Sequence, residues 1–162
     1  MKKILVLSDS HSALNFMFDA VDAAAPDAII HLGDYYDDGE VLHEKYPEIP
    51  FYQVPGNCDC FRCSPSIPQI LVEDIFGVRF YLTHGHRHDV KVSRRCLEKD
   101  ARDSGAAAVL YGHTHIPDCR LEEGMWILNP GTCGYGDRTG AIVKIEDGEI
   151  ISCQIIHQED LT

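Results

Sequence analysis

Five short apolar runs punctuate the first two thirds of the chain: Ile4–Leu7, Ala28–Leu32, Phe51–Val54, Phe80–Thr83 and Ala107–Tyr111. Such near-continuous runs, too short for helices, predict strands buried on both faces. Between the first two, Leu14, Met17, Phe18 and Val21 recur at helical spacing within Ser12–Ala25, and Pro26 ends that helix. A weaker acidic helix is predicted over Gly39–Tyr46, stopping before Pro47. Cys60–Pro68, with its prolines and serines, reads as a loop. Ile70–Phe76 and Val78–Thr83 read as strands turning near Gly77, and Val90–Ser104 as a polar helix stopped by Gly105. Beyond His115 the pattern changes to strands: Met125–Leu128, Gly140–Ile145 and Ile150–Ile156, the last two joined by a hairpin signal at Asp147-Gly148. An alternating front half and a strand-rich back predict two sheets packed face to face with helices outside, in one domain spanning residues 1–162.

Composition narrows the setting. A chain of 162 residues can bury roughly two thirds of its unfolded surface. No stretch approaches the roughly 18 apolar residues of a membrane span. Met1-Lys-Lys has the look of a signal n-region, but the apolar run behind it stops at Ser8-Asp9. A cytoplasmic protein with no membrane partner is the expectation. Seven cysteines without framework spacing predict reduced thiols rather than disulfides. A formal net charge of −12 speaks against nucleic acid as a partner. It leaves an anionic substrate open, because bound cations reverse the local charge.

The candidate chemistry lies at the ends of the apolar runs. Asp9 and His11, then Asp34, Asn57, His84, and His113 with His115 follow one another at intervals of 25, 23, 27 and 29 residues (9, 34, 57, 84, 113). That is about a strand, a crossover and a return, so these segments would meet at the carboxyl edge of a sheet. Imidazole, carboxylate and amide form a donor set for divalent cations; Mn2+ is the first candidate, and Fe, Zn, Ni and Co also suit it. Asp9-x-His11 and His113-x-His115 offer alternate side chains to one side of the chain. Asp34 is the natural bridge, since a carboxylate has two oxygens for two ions. Asn57 can ligate through its oxygen and donate its NH2 to a phosphate. His31, His43, His88 and His157 stand outside this pattern and read as structural or solvated. Cys60-x-x-Cys63 has redox spacing without the strand and helix context, and reads as incidental thiols. Lys91, Arg94, Arg95 and Lys99 form a solvated basic face, and Trp126 a core or interface position.

The order of these motifs resembles the calcineurin-like metallophosphoesterase superfamily, in particular its small YfcE-type phosphodiesterases. The motifs are Asp9-Ser-His11, Gly33-Asp34, Gly56-Asn-Cys-Asp59, Thr83-His-Gly-His86, Gly112-His-Thr-His115 and Asn129-Pro-Gly-Thr132. The resemblance implies a four-layer α/β/β/α sandwich and a dinuclear centre. One metal would take Asp9, His11, Asp34 and His115; the other Asp34, Asn57, His84 and His113. It also implies in-line attack on phosphorus by a hydroxide shared between two divalent ions, on a small phosphoester substrate. Cys58 stands where many members carry a His that serves the leaving group, so the obvious general acid is missing. His86 is the substitute, and Asp59 a candidate for orienting a neighbouring His. A phosphomonoesterase on the same core is the enzymatic rival. A non-catalytic interaction module, as in the retromer subunit of this fold, is the rival from another class. Small members also suggest a homo-oligomer.

Overall fold

Residues 1–161 are described by a computed structural model. The chain begins with β1 (Lys2–Leu7), α1 (Leu14–Ala24), β2 (Ala28–His31), α2 (Tyr36–Lys45) and β3 (Phe51–Gln53). β1, β2 and β3 run parallel. After a long loop come β4 (Ile70–Ile75), β5 (Val78–Thr83), α3 (Arg95–Asp103) and β6 (Ala108–Leu110). β7 (Asp118–Glu122), β8 (Met125–Asn129), β9 (Thr139–Glu146) and β10 (Glu149–His157) close the chain. Two mixed five-stranded sheets result, ordered β10-β9-β1-β2-β3 and β4-β5-β6-β8-β7.

The strands' apolar runs are explained by burial on both sides. Along β1, Ile4 and Val6 join Ile30, Phe80, Leu82, Leu110 and Val143 in the layer between the sheets. The alternate Leu5 and Leu7 pack with Phe16, Met17, Val21 and Leu42 of α1 and α2 on the outer side. Val109 and Ile127 of the second sheet meet Leu97 and Ala101 of α3. The order of layers is therefore helix, sheet, sheet, helix, as expected. Among the described residues no helix is long and apolar enough to cross a membrane.

Four details differ from the sequence reading. Only Arg95–Asp103 of the predicted Val90–Ser104 helix is helical. Asp89 takes a left-handed φ of 54°, which breaks the helical path before it. α2 starts at Tyr36 rather than Gly39. β7 lies outside the predicted strands; its Cys119 and Leu121 alternate with charged residues, and it forms an edge strand folded back on β8 through Glu123-Gly124, both at positive φ. The expectation of reduced thiols holds for Cys58, Cys60, Cys63, Cys96 and Cys133 and is corrected for the other two. Cys119 on β7 and Cys153 on β10 are bonded as a disulfide linking the two sheets, with Cα atoms 6.5 Å apart. The pairing depends on an edge strand that the sequence did not reveal. Asp147 and Gly148 do form the β9/β10 turn, again at positive φ.

Candidate metal centre

The parallel strands deliver their polar residues to one edge. Asp9 follows β1, Asp34 follows β2 and Asn57 follows β3, while His84 follows β5 and His113 and His115 follow β6. Both sheets thus contribute, three residues from one and three from the other, with His11 on the turn into α1.

Backbone shape at this edge is unusual. Asp9, His11, Asp34, His113 and His115 all have positive φ, between 43° and 71°. Asp and His tolerate this region better than most residues, yet each such residue costs on the order of 1–2 kcal/mol. Gly33 and Gly56 let the strands close up. A Cβ on Gly33 would lie 2.6 Å from the Gly56 nitrogen, and one on Gly56 would collide with Asp34 Oδ1.

His84 is buried at the centre. Its Nδ1 donates to the Leu32 carbonyl at 2.7 Å, which turns Nε2 toward three oxygens: Asn57 Oδ1 at 3.1 Å, Asp34 Oδ2 at 3.4 Å and Asp9 Oδ1 at 3.8 Å. A neutral imidazole with Nδ1 protonated presents a lone pair to those oxygens, an unfavourable arrangement unless a proton or a cation lies between them. The titration shift agrees. Burial alone would lower His84, but the hydrogen bond with Asp34 and the charge of Asp9 raise it. Asp34 is likewise opposed by burial but drawn well below the carboxylate range by His84 and the Cys58 N–H. His11 Nε2 is buried, 3.7 Å from Asp34 Oδ2, and has no hydrogen-bond partner. His115 Nε2 lies 3.1 Å from Asp9 Oδ1, and that hydrogen bond raises its pKa.

These donors fit divalent ions. Two sets have ligand atoms within 4.8 Å of one another: Asp9, His11 and His115, and Asp9, Asp34 and His84. Asp34 Oδ2 faces both His11 and His84, one histidine from each set. Asn57 adds its amide oxygen beside His84. His113 is brought alongside, its ring 5.1 Å from that of His84, but it belongs to neither set. Burial, then the neighbouring His84, hold it down to about 4, so it is an uncharged imidazole at neutral pH.

Supporting residues were less visible in the sequence. Asp59 does not orient a histidine. Its buried carboxylate accepts the backbone N–H groups of Asp34 (2.9 Å), Gly56 (2.7 Å) and Tyr36 (2.7 Å), clamping the β2 loop to the β3 loop. His31, expected to be structural or solvated, is fully buried directly behind the site. Its Nδ1 accepts from Gly33 N–H at 3.3 Å, and its Nε2 bonds Ser10 Oγ at 3.0 Å, between Asp9 and His11. Burial pushes its pKa down to about 4. Asp59 stands within the Gly56–Asp59 motif and His31 two residues before Gly33, but their reach to Asp34 and to Ser10 is made only by the folded chain.

His86 sits at the margin, its ring 5.5 Å from His84 and 6.1 Å from His113. It lines a pocket with Asn57, Cys60 and Cys63. Burial first, then His84, hold it below the ordinary imidazole value. On the other side Tyr35 and Tyr135 flank His11, with ring centroids at 5.0 and 4.9 Å.

Comparison with known proteins places this arrangement in context. The calcineurin-like phosphoesterase superfamily domain matches residues 1–148. A phosphodiesterase of Methanocaldococcus jannaschii is 26% identical over 148 residues, covering 82% of this chain and 86% of the relative. The crystal structure of a predicted phosphoesterase from Streptococcus pneumoniae superposes with a TM-score of 0.79 at 28% identity, covering 98% of this chain and 90% of the other. Vps29 of Entamoeba histolytica, solved with Zn2+, gives 0.73 at 18% identity, covering 96% and 99% of the two chains. That last likeness is one of fold alone.

Proposed function

This chain belongs to the calcineurin-like phosphoesterase superfamily, and on that premise we propose that it is a metal-dependent phosphodiesterase. The observation that carries the reading is the buried His84 Nε2, facing one amide and two carboxylate oxygens at 3.1–3.8 Å. Asp9, His11, Asp34 and His115 would hold one divalent ion, and Asp34, Asn57, His84 and His113 a second, with Mn2+ the first candidate. When bound, such ions lower the pKa of a coordinated water to near neutrality and stabilise charge on phosphoryl oxygens.

The chain's own groups do the rest. The Leu32 carbonyl fixes the tautomer and aim of His84. The Asn57 NH2, 3.7 Å from Cys58 Sγ, would donate to a nonbridging phosphoryl oxygen. Cys58 is a poor proton donor, since burial and then Asp34 push its thiol up to about 11. His86 is the remaining group to meet the departing oxygen, through a neutral N–H or through imidazolium. A scaffold protein has no physical need for so many converging donors, so the enzyme reading outranks the interaction module on the same fold.

Hydrolysis of bis(p-nitrophenyl) phosphate and p-nitrophenyl phosphate by the Mn2+-loaded protein tests this. The diester should be cleaved at least tenfold faster, and a chelator should abolish the activity. A preference for the monoester would overturn the diesterase assignment. His86→Ala should slow an alkyl leaving group more than a nitrophenolate; equal losses would remove His86 from the leaving-group role.

A further inference from the structure

β3 is the outermost strand of its sheet. Toward β2, the Pro50 carbonyl accepts the Ile29 N–H at 2.9 Å, and the Val54 N–H donates to the His31 carbonyl at 3.1 Å. In a parallel ladder the intervening residues turn the other way, so Phe51 and Gln53 direct their N–H and C=O groups outward. Among the described residues no strand pairs with β3 on that side. A pocket of about 600 Å3 lies there, lined by Phe51, Tyr52 and Gln53. Tyr52 points to the opposite face from its two neighbours, so a space touching all three runs along the strand's edge rather than over one face. Gly39 brings α2 against β3: an added Cβ there would lie 3.2 Å from Phe51 Cζ. The helix therefore covers one face of the strand and leaves the edge open. Glu40 and Glu44, one turn apart on α2, form one wall; both are exposed and make no ion pair among the described residues. Leu71 of β4 lies on the other side with Tyr52, and both belong to the apolar layer between the sheets.

We infer that this groove takes an extended segment of another protein as a sixth strand beside β3, with Lys or Arg facing α2 and apolar residues facing Leu71. The inference is independent of the phosphodiesterase reading. Unpaired N–H and C=O groups on a strand edge are a template for another strand, and β3 carries neither a charge nor a proline to block it. Side chains of an added strand alternate between its two faces, so one set meets two carboxylates and the other meets apolar surface. The carboxylates decide between occupants. A second copy joined β3 to β3 would set its own Glu40 and Glu44 near those of the first, and like charges oppose that pairing. A nucleic acid meets the same repulsion and has no peptide groups to pair. A basic peptide segment satisfies both the edge and the charge. The contact is short, since three residues of strand span about 10 Å, which suits reversible docking.

The test uses an end-blocked peptide, Lys-Val-Lys-Val-Lys, and its reordered form, Lys-Lys-Val-Val-Lys, which carries the same charge without the alternation. Both are titrated into the full chain at about 0.15 M salt, where charges more than ~8 Å away are largely screened. The alternating peptide should bind at least about tenfold more tightly than the reordered one. It should also slow hydrogen exchange at the Phe51 and Gln53 amides, while the Tyr52 and Val54 amides, which face β2, change little. The double variant Glu40→Lys/Glu44→Lys should weaken the alternating peptide by about tenfold or more. Unchanged exchange of the β1 amides in that variant shows that its fold is intact. Equal affinity for the two peptides, or no protection of Phe51 and Gln53 in wild type at about 1 mM peptide, would overturn the inference. Protection of those two amides in a dimer formed without peptide would also overturn it, because a second copy would then fill the edge.

Discussion

Asp34 illustrates how much one side chain is asked to do. Its Oδ1 accepts the Cys58 N–H at 2.9 Å, its Oδ2 faces His11 and His84, and its own N–H is held by Asp59. The bridging assignment predicts an asymmetry between variants. Asp34→Asn should lose metal at both positions, while His11→Ala should empty mainly one, leaving about half the metal. Metal analysis of the purified variants reads this directly. Full occupancy of both positions in Asp34→Asn would end the bridging role. Sequence spacing indicated the seven candidate ligands, because each follows an apolar run. It could not indicate Asp59's true task, since a carboxylate two residues beyond Asn57 looks equally suited to a histidine or to backbone.

At the scale of elements, His31 couples the end of β2 to the turn after β1. It is fully buried and held neutral, which has a pH consequence with a definite sign. In the unfolded chain a histidine protonates near 6.5, whereas folded His31 resists until about 4. Between those values the unfolded state takes up a proton that the native state does not. Its contribution is therefore intact above pH 6.5 and is lost as pH falls toward 4. The loss amounts to roughly 3 kcal/mol at most. Chemical denaturation of the metal-free protein from pH 7 to pH 4 measures it. His31→Asn keeps an acceptor for Gly33 and should be less stable at pH 7, but with a shallower fall across this window. An unchanged slope would show that His31 does not govern the acid response. The elements themselves were largely legible. β1, β2, β5 and β6 coincide with the apolar runs because burial on both faces demands such runs, and half-buried β3 at the sheet edge follows its own run. β7 was not read as a strand, because two apolar positions in five residues, Cys119 and Leu121, are too short an alternation to stand out.

For the whole molecule, the centre is a joint between two sheets. Asp9, Asp34 and Asn57 extend from one, and His84, His113 and His115 from the other. At the same edge several non-glycine residues are held at positive φ and two carboxylates face each other around His84. Bound cations would offset both costs, so metal should stabilise the fold as a whole. At a hundredfold excess over Kd the gain is about 2.7 kcal/mol, or roughly 5–10 °C in Tm for a chain of this size. Thermal scans with Mn2+ and with chelator check this. Identical Tm values under conditions where metal analysis shows binding would contradict a load-sharing joint.

What the chain determined by itself was the alternation of strands and helices, the helix–sheet–sheet–helix layering and the seven candidate ligands. All of these follow from local periodicity, or from motifs whose residues lie within a few positions of one another. What only the tertiary structure decided was pairwise and long-range. Asp59 clamps Asp34, His31 reaches Ser10, Cys119 meets Cys153, and Cys60 and His86 come to share one pocket wall. Each joins residues on separate elements, and no periodicity within either segment encodes the distance between them. Packing of the two sheets sets those distances, so the second layer of the site and the shape of the pocket beside it exist only in the folded chain.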